Sequence, residues 1–313
     1  MCANPTKTAS LAKAITRAAS RQTFDTIRLL ADRGRCADAY RTYAYFRWVD
    51  DRLDGDAISG PERQSFVTRQ LDLIERCYAG EAPSAVSSEE SMLVDLIRHN
   101  PERHGLLASY VHNMMAVMTF DAARRGRLIT QAELNTYEHH LAVAVTEALH
   151  YFIGRGQCAP MSSERYLAVR AAHITHMLRD TYDDIRAGYF NIPVEFVSAY
   201  RISPLDVDSP AYLAWVRLRV ELARRNFKAG GRYLKQVPCA RFRMAVCAYA
   251  ARFHAVLDRI EGDGFALRAD YRACKTLSSG LQMLISILGA ALGLERLAPA
   301  YGAASEDRAP GRQ

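Results

Sequence analysis

YAYFRWVDDRLDGD, Tyr43 to Asp56, is the stretch on which the fold turns. Read as a helix, it sets Asp50 and Asp54 one turn apart on a shared face, with Phe46 a turn behind Asp50. Like charges at that spacing destabilise a bare helix, so something must compensate for them. Arg47 and Arg52 could do so on an ordinary solvated face. HITHMLRDTYDDIRAGYFNIP, His173 to Pro193, repeats the device. There Asp180 and Asp184 lie one turn apart, Asp183 sits beside them, and Arg179 and Arg186 flank them. Either mixture alone is common on a surface. Both, however, are embedded in apolar and aromatic sequence.

Outward from these two stretches the apolar pattern is helical nearly throughout. Ile15 to Leu30 forms one amphipathic stretch and Ala37 to Leu53 an aromatic-rich second. Further stretches run near 62–79, 103–125, 131–154, 164–187, 210–235, 239–262 and 275–294. The breaks are short and polar, such as Gly80-Glu-Ala-Pro83 followed by Ser84–Ser88, or Gly262-Asp-Gly264. No alternating strand pattern, fixed-period repeat or linker is present. The pattern predicts one all-α domain spanning 1–313, with a frayed tail from about Ala300.

Hydrophobic residues make up 49% of the 313, enough for a buried core rather than a disordered chain. The net charge of +7 is carried mainly by arginine; it suits anionic substrates or an acidic membrane surface, or is simply a basic solvated face. Seven cysteines with no CxxC pair argue against a disulfide framework or zinc site and for a reducing, cytoplasmic setting. The first residues lack the apolar core of a secretory signal. Leu277 to Leu294 is interrupted by Ser278, Ser279, Gln282 and Ser286, and falls short of the roughly 20 apolar residues of a membrane span. A terminal core helix is its default reading, and peripheral membrane contact stays open. Nucleic-acid binding has no aromatic-basic motif to support it.

Carboxylate pairs facing each other across a bundle suggest a specific chemistry. Mg²⁺ prefers carboxylate oxygen and shares its shell with substrate phosphates. Such a cage would stabilise a departing diphosphate and make an allylic cation accessible. The cation needs a dry pocket with aromatic faces. Phe24, Tyr43, Phe46, Trp48, Tyr137 and Phe253 are candidates for it, and each could equally be core.

From about Ser20 to Leu277 the chain resembles the squalene/phytoene synthase family. Arg47, Asp50, Asp51 and Asp54 match its RxxDDxxD motif. Leu178, Arg179, Asp180 and Asp184 match LRDxxxD, followed by Arg186, Gly188 and Pro193. Thr23-Phe24 stand where the family has a Ser-Phe that reaches the diphosphate, and Tyr137 opens the segment of its Tyr and VAGxVG run. Ala223-Arg224, Phe227, Gly230, Tyr249, Ile260-Glu261, Gly264-Phe265 and Arg268 resemble its closing segments. The resemblance implies an isoprenoid-synthase fold, a helical bundle around a central cavity with its ordered core over about 20–296. It also implies ionisation of an allylic prenyl diphosphate with Mg²⁺ as cofactor. A second prenyl diphosphate then attacks head to head, giving a cyclopropylcarbinyl diphosphate. By position, Asp50, Asp54, Asp180 and Asp184 would bind metal. Thr23, Phe24, Arg47, Arg179, Arg186 and His173 would face the diphosphate, and Tyr137 the reacting carbons.

Some positions depart from the family. His173 and His176 replace Gln and Asn, and that Asn is a metal ligand. Imidazole suits Mg²⁺ less well than an amide oxygen, so His176 is a ligand, a phosphate donor or a core histidine. Val143 and Thr146 replace two glycines, which should narrow or reshape the cavity. The GRxYLP ending becomes Gly188-Tyr189-Phe190-Asn191-Ile192-Pro193, losing an Arg and a Tyr. These changes keep open a different acceptor, an aromatic small molecule or the substrate's own double bonds. A non-enzymatic assembly role is the remaining alternative; its signature would be lost acidic ligands, and all four principal aspartates are kept. The sequence is silent on NADPH.

Overall fold

The computed structural model describes residues 5–55, 58–81, 83, 86–154 and 159–271. Helices α1 (Pro5–Ala19), α2 (Arg21–Leu30), α3 (Cys36–Asp54), α4 (Gly60–Tyr78) and α5 (Ser88–His99) form the first half. They are followed by α6 (Leu106–Arg124), α7 (Gln131–Phe152), α8 (Leu167–Arg179) and the short α9 (Thr181–Arg186). The last are α10 (Val194–Tyr200), α11 (Pro210–Gln236) and α12 (Ala240–Gly262). Among the described residues there is no strand, only an isolated bridge between Ile129 and Pro193. The fold is all-α, as the apolar periodicity predicts. No described helix is long and apolar enough to cross a membrane. The expected helix near 275–294 and the frayed tail lie outside the described residues.

Local chemistry explains where the helices depart from the predicted stretches. Ile15 to Leu30 is two helices because Ser20 caps α2, its hydroxyl accepting the Thr23 N–H at 3.2 Å. The stretch 164–187 is likewise broken at Asp180, where φ is −98° and ψ 8°. The Thr181 hydroxyl donates to the Met177 and Leu178 carbonyls at 2.9 and 3.1 Å, satisfying acceptors that α8 leaves open at its end. Helix α5 had no counterpart among the predicted stretches. Its start is a capping box in which Ser87 accepts the Glu90 N–H and Glu90 accepts the Ser87 N–H.

On α3, Phe46, Val49 and Leu53 are buried at helical spacing, so the aspartates fall on the neighbouring strip. Helix α3 packs on α1, α5 and α6; α7 packs on α6 and α8; and α8 lies against α11 and α12. The contact of α8 with α11 is unusually close. A Cβ on Gly230 of α11 would stand 2.5 Å from the Ala168 amide nitrogen of α8. Small residues Ala168, Ala171, Ala172 and Thr175 give α8 the matching face.

After α9 the chain is clamped to the end of α6. The Gly126 N–H donates to the Gly188 carbonyl at 2.8 Å, and Arg125 Nε to the Ala187 carbonyl at 2.9 Å. Gly188 has φ +84°, a left-handed conformation that favours glycine. The clamp carries Tyr189 and Asn191 back over the carboxylates.

Candidate active site

A cavity of about 480 Å³, within the range of small-molecule sites, opens between α2, α3, α6, α7, α8 and α12. Along α3 its wall runs from Ala39 to Asp50, which at 1.5 Å per residue is roughly 16 Å of helix. Ala31, Ala39, Phe152 and Ile153 close the apolar end. Gln22, Thr23, Arg47, Asp50, His176 and Arg252 line the other end, and Tyr43, Phe46, Tyr110 and Tyr249 supply aromatic wall between. Phe46 and Tyr110 meet edge to face with centroids 5.2 Å apart, which fixes both rings.

The polar end is short of positive charge. Burial, then the neighbouring Asp54 charge, pushes Asp50 up to about 7, although Arg47 pairs with it at 3.3 Å. Burial also raises Asp54, whose carboxylate accepts from the Tyr189 hydroxyl at 3.4 Å. On the second segment, burial and then Asp180 push Asp184 up to about 7, while Asn191 donates to it at 2.7 Å. Asp180 behaves oppositely. Burial would raise it, but Arg179 donates twice, at 2.5 and 2.6 Å, and His176 once, at 2.8 Å, holding it well below the usual carboxylate range.

Asp121 of α6 joins this cluster. Burial raises it, and it accepts from Arg124 Nε at 2.6 Å and the Tyr137 hydroxyl at 3.1 Å. Its charge is felt by both Asp50 and Asp184. Arg124 stacks over the Tyr137 and Tyr189 rings, 4.8 Å from each centroid, and donates to the Asn191 amide oxygen at 2.8 Å. Among the described residues no three His, Cys, Asp or Glu side chains are by themselves arranged to hold a metal ion.

The structure thus brings Thr23, Arg47, Asp50 and His176 into the wall of one cavity; Asp180 joins them through His176 and Arg179, and Asp50 feels the charges of Asp54 and of Asp121, which Asp184 also feels. Tyr137 and His173 stand behind that wall, ring centroids 5.2 Å apart. Burial, then the nearby Asp121, holds the Tyr137 hydroxyl protonated. His173 is buried with neither ring nitrogen hydrogen-bonded; burial, then the charge of His176, keeps it neutral. Phe24 turns to the far side of α2, between Tyr40 and the cations of Lys13 and Arg17. Arg186 is exposed and pairs with Asp183 at 3.1 Å.

Val143 and Thr146 do not line the cavity. Its face of α7 is Leu141, Val145, Ala148, Leu149 and Phe152, so both replacements are buried on other faces of the helix. Tyr189 and Asn191, departures in the sequence, are the donors that hold Asp54 and Asp184. Asp121 went unpredicted. Its signal was a lone carboxylate in the apolar run of Leu106 to Arg124.

An all-helical bundle enclosing an apolar cavity, with carboxylates from separate helices gathered at one end, defines an isoprenoid-synthase-type protein. The family model for squalene/phytoene synthase matches residues 16–278, and the chain belongs to that family, one of prenyltransferase type. Among solved structures, squalene synthase HpnC from Alicyclobacillus acidocaldarius is similar at 18% identity and TM-score 0.66, covering 84% of this chain and 97% of that one. A dehydrosqualene synthase in complex with a ligand is similar at 15% identity and TM-score 0.71, covering 91% and 96%. A ligand complex of TcSQS gives 16% identity and TM-score 0.63, covering 95% and 94%. Likeness at these identities concerns the fold. No curated protein gives a significant match.

Proposed function

We infer that the protein ionises an allylic prenyl diphosphate at the carboxylate end of the cavity and joins the resulting cation head to head with a second prenyl diphosphate. One observation carries this: the charged end and the aromatic, apolar wall belong to a single cavity. In this reading the diphosphate lies near Arg47 and Thr23 while the prenyl chain runs toward Phe152. The allylic C–O bond breaks and its electron pair leaves with the diphosphate. Tyr43, Phe46, Tyr110 and Tyr249 offer ring faces to the cation, and the apolar wall withholds water. The double bond of the second substrate then forms the new C–C bond, and the tertiary cation this leaves is quenched by closure of the cyclopropane ring with loss of a proton, which the released diphosphate can accept.

The donor set suits Mg²⁺. Asp50, Asp54, Asp180 and Asp184 are hard oxygen donors, and the raised values of Asp50 and Asp184 mark a site that a cation would relieve. Mg²⁺ supplies positive charge to the departing diphosphate when bound. Because the carboxylates do not form a cage alone, the diphosphate itself would complete the shell. Asp180 would first have to exchange its Arg179 and His176 contacts, freeing those donors for phosphate oxygens.

The test is product analysis by mass spectrometry after incubation with C10, C15 and C20 allylic diphosphates, with and without Mg²⁺. A Mg²⁺-dependent product of twice the substrate's carbon number supports the reading. A cyclised product of unchanged carbon number transfers the ionised cation to its own double bonds, and intact substrate under all conditions rejects ionisation.

A further inference from the structure

The net charge of +7 is not spread evenly along the chain. The first 35 residues carry seven Lys or Arg against Asp25 and Asp32, so +5 of it lies there. The fold gathers four of these cations into one groove between α1 and α2, lined by Lys13, Arg17, Arg21, Phe24, Asp25 and Arg28, a net +3. Asp25 is shared by Arg21 at 4.0 Å and Arg28 at 3.4 Å. Lys13 and Arg17 have no carboxylate within ion-pair distance among the described residues; they sit over the Phe24 ring, 6.0 and 5.7 Å from its centroid. Beside this groove Leu29 is 66% exposed. It stands two turns along α2 from Gln22, so it shares a helix face with a residue of the central cavity's wall. The outer edge of α2 thus sets a cationic groove, an exposed leucine and the cavity rim side by side.

A basic groove alone would take any polyanion. A leucine exposed between that groove and an apolar cavity gains from burial only where negative charge and an apolar phase meet, as they do at an anionic bilayer. We propose that the α1–α2 face docks on an anionic lipid surface, with Lys13, Arg17, Arg21 and Arg28 at the headgroup phosphates and Leu29 among the upper acyl chains. At ten residues, α2 is about half as long as a bilayer core is thick, so it lies along the surface. Nucleic acid fits the face less well, because the ring of the groove, Phe24, is buried and offers no platform for a base. The docking stands on charge and exposure and not on the reaction. Taken with the prenyl diphosphate reading, it sets the Gln22 rim of the cavity at the water–lipid boundary, where an amphiphile with an anionic head and an apolar tail resides.

Co-sedimentation of the full chain with vesicles tests this, using phosphatidylcholine alone or with one third phosphatidylglycerol. Binding is expected to the anionic vesicles and not to the neutral ones. It should fall steeply as salt rises from about 0.1 to about 1 M, where the screening length drops from about 10 to about 3 Å. Lys13→Gln and Arg17→Gln should each lower the partition coefficient about fivefold, the worth of one cation near an anionic surface. Leu29→Ser should lower it about tenfold through lost apolar burial. Lys228→Glu, at an exposed cation of α11, should leave it unchanged. A thermal melt of each variant checks folding. No binding to the anionic vesicles, or equal binding by wild type and the α1–α2 variants, overturns the proposal. So does an unchanged Leu29→Ser, which would leave a site for free anions. Tighter binding of a single-stranded oligonucleotide through the same cations, or a dimer that Arg17→Gln dissolves, overturns it as well. Each of these outcomes leaves the ionisation reading standing, because the assay involves no turnover.

Discussion

Replacing Asp184 with asparagine is expected to make the metal-free protein more stable at pH 8, although it deletes a carboxylate of the site. In the folded protein burial and the Asp180 charge lift this carboxyl from an ordinary 3.8 to about 7. A carboxyl raised on folding holds its proton more tightly in the native state. The native state is therefore favoured at low pH and loses that advantage as pH climbs from about 4 through about 7. At 1.36 kcal/mol per pH unit the gap is worth about 4 kcal/mol as a ceiling. The side chain is only partly buried, and solvent screening brings the expectation to about 1–3 kcal/mol. For a chain of this length that is roughly 2–6 °C in Tm. Asparagine keeps the shape and can still accept from Asn191. The assay is thermal unfolding of both proteins in EDTA from pH 4.5 to 8.5. The variant should melt higher at pH 8, and the difference should vanish toward pH 4.5. Mg²⁺ with inorganic diphosphate should reverse the order, because only the wild type keeps the full donor set. A variant less stable than wild type at pH 8 in EDTA, or a difference that ignores pH, refutes the charge-repulsion account.

Three further outcomes are expected. Asp121→Asn should lower turnover about 10- to 100-fold with unchanged circular dichroism, since it holds Tyr137 and Arg124 beside the cluster; an unaltered kcat/KM rejects that role. Glu138→Ala should cost about 3–5 kcal/mol in urea unfolding, because the fully buried carboxylate accepts from Arg170 at 2.9 Å and from Arg219, and its loss strands a buried guanidinium. A cost under about 1 kcal/mol would contradict it. Gly230→Ala should destabilise by about 1–3 kcal/mol by prising α11 from Ala168 of α8, and a neutral substitution would show that the helices can separate freely.

Much of this was legible along the chain. Helical periodicity gave the all-α class because apolar spacing of three and four residues reports a helix's buried face whatever its partner. The one-turn spacing in Asp50/Asp54 and Asp180/Asp184 placed each pair, since it is a property of one segment. Shorter features were lost: α10 is only seven residues, and α5 hid behind a serine-rich approach although Ser87 and Glu90 carried its cap.

The sequence by itself determined the fold class, the family and the two acidic segments that the chemistry depends on. Tertiary structure alone decided which other groups meet them. Asp121 reaches the cluster from α6, Tyr189 and Asn191 are brought over it by the Gly126–Gly188 clamp, and Arg252 reaches the rim from α12. It also decided that Asp50 and Asp184 titrate near 7 while Asp180 lies far lower, though all three are aspartates in similar local sequence. Spacing along one helix fixes direction, but burial and long-range charge depend on what packs opposite, and that is set only when the helices assemble.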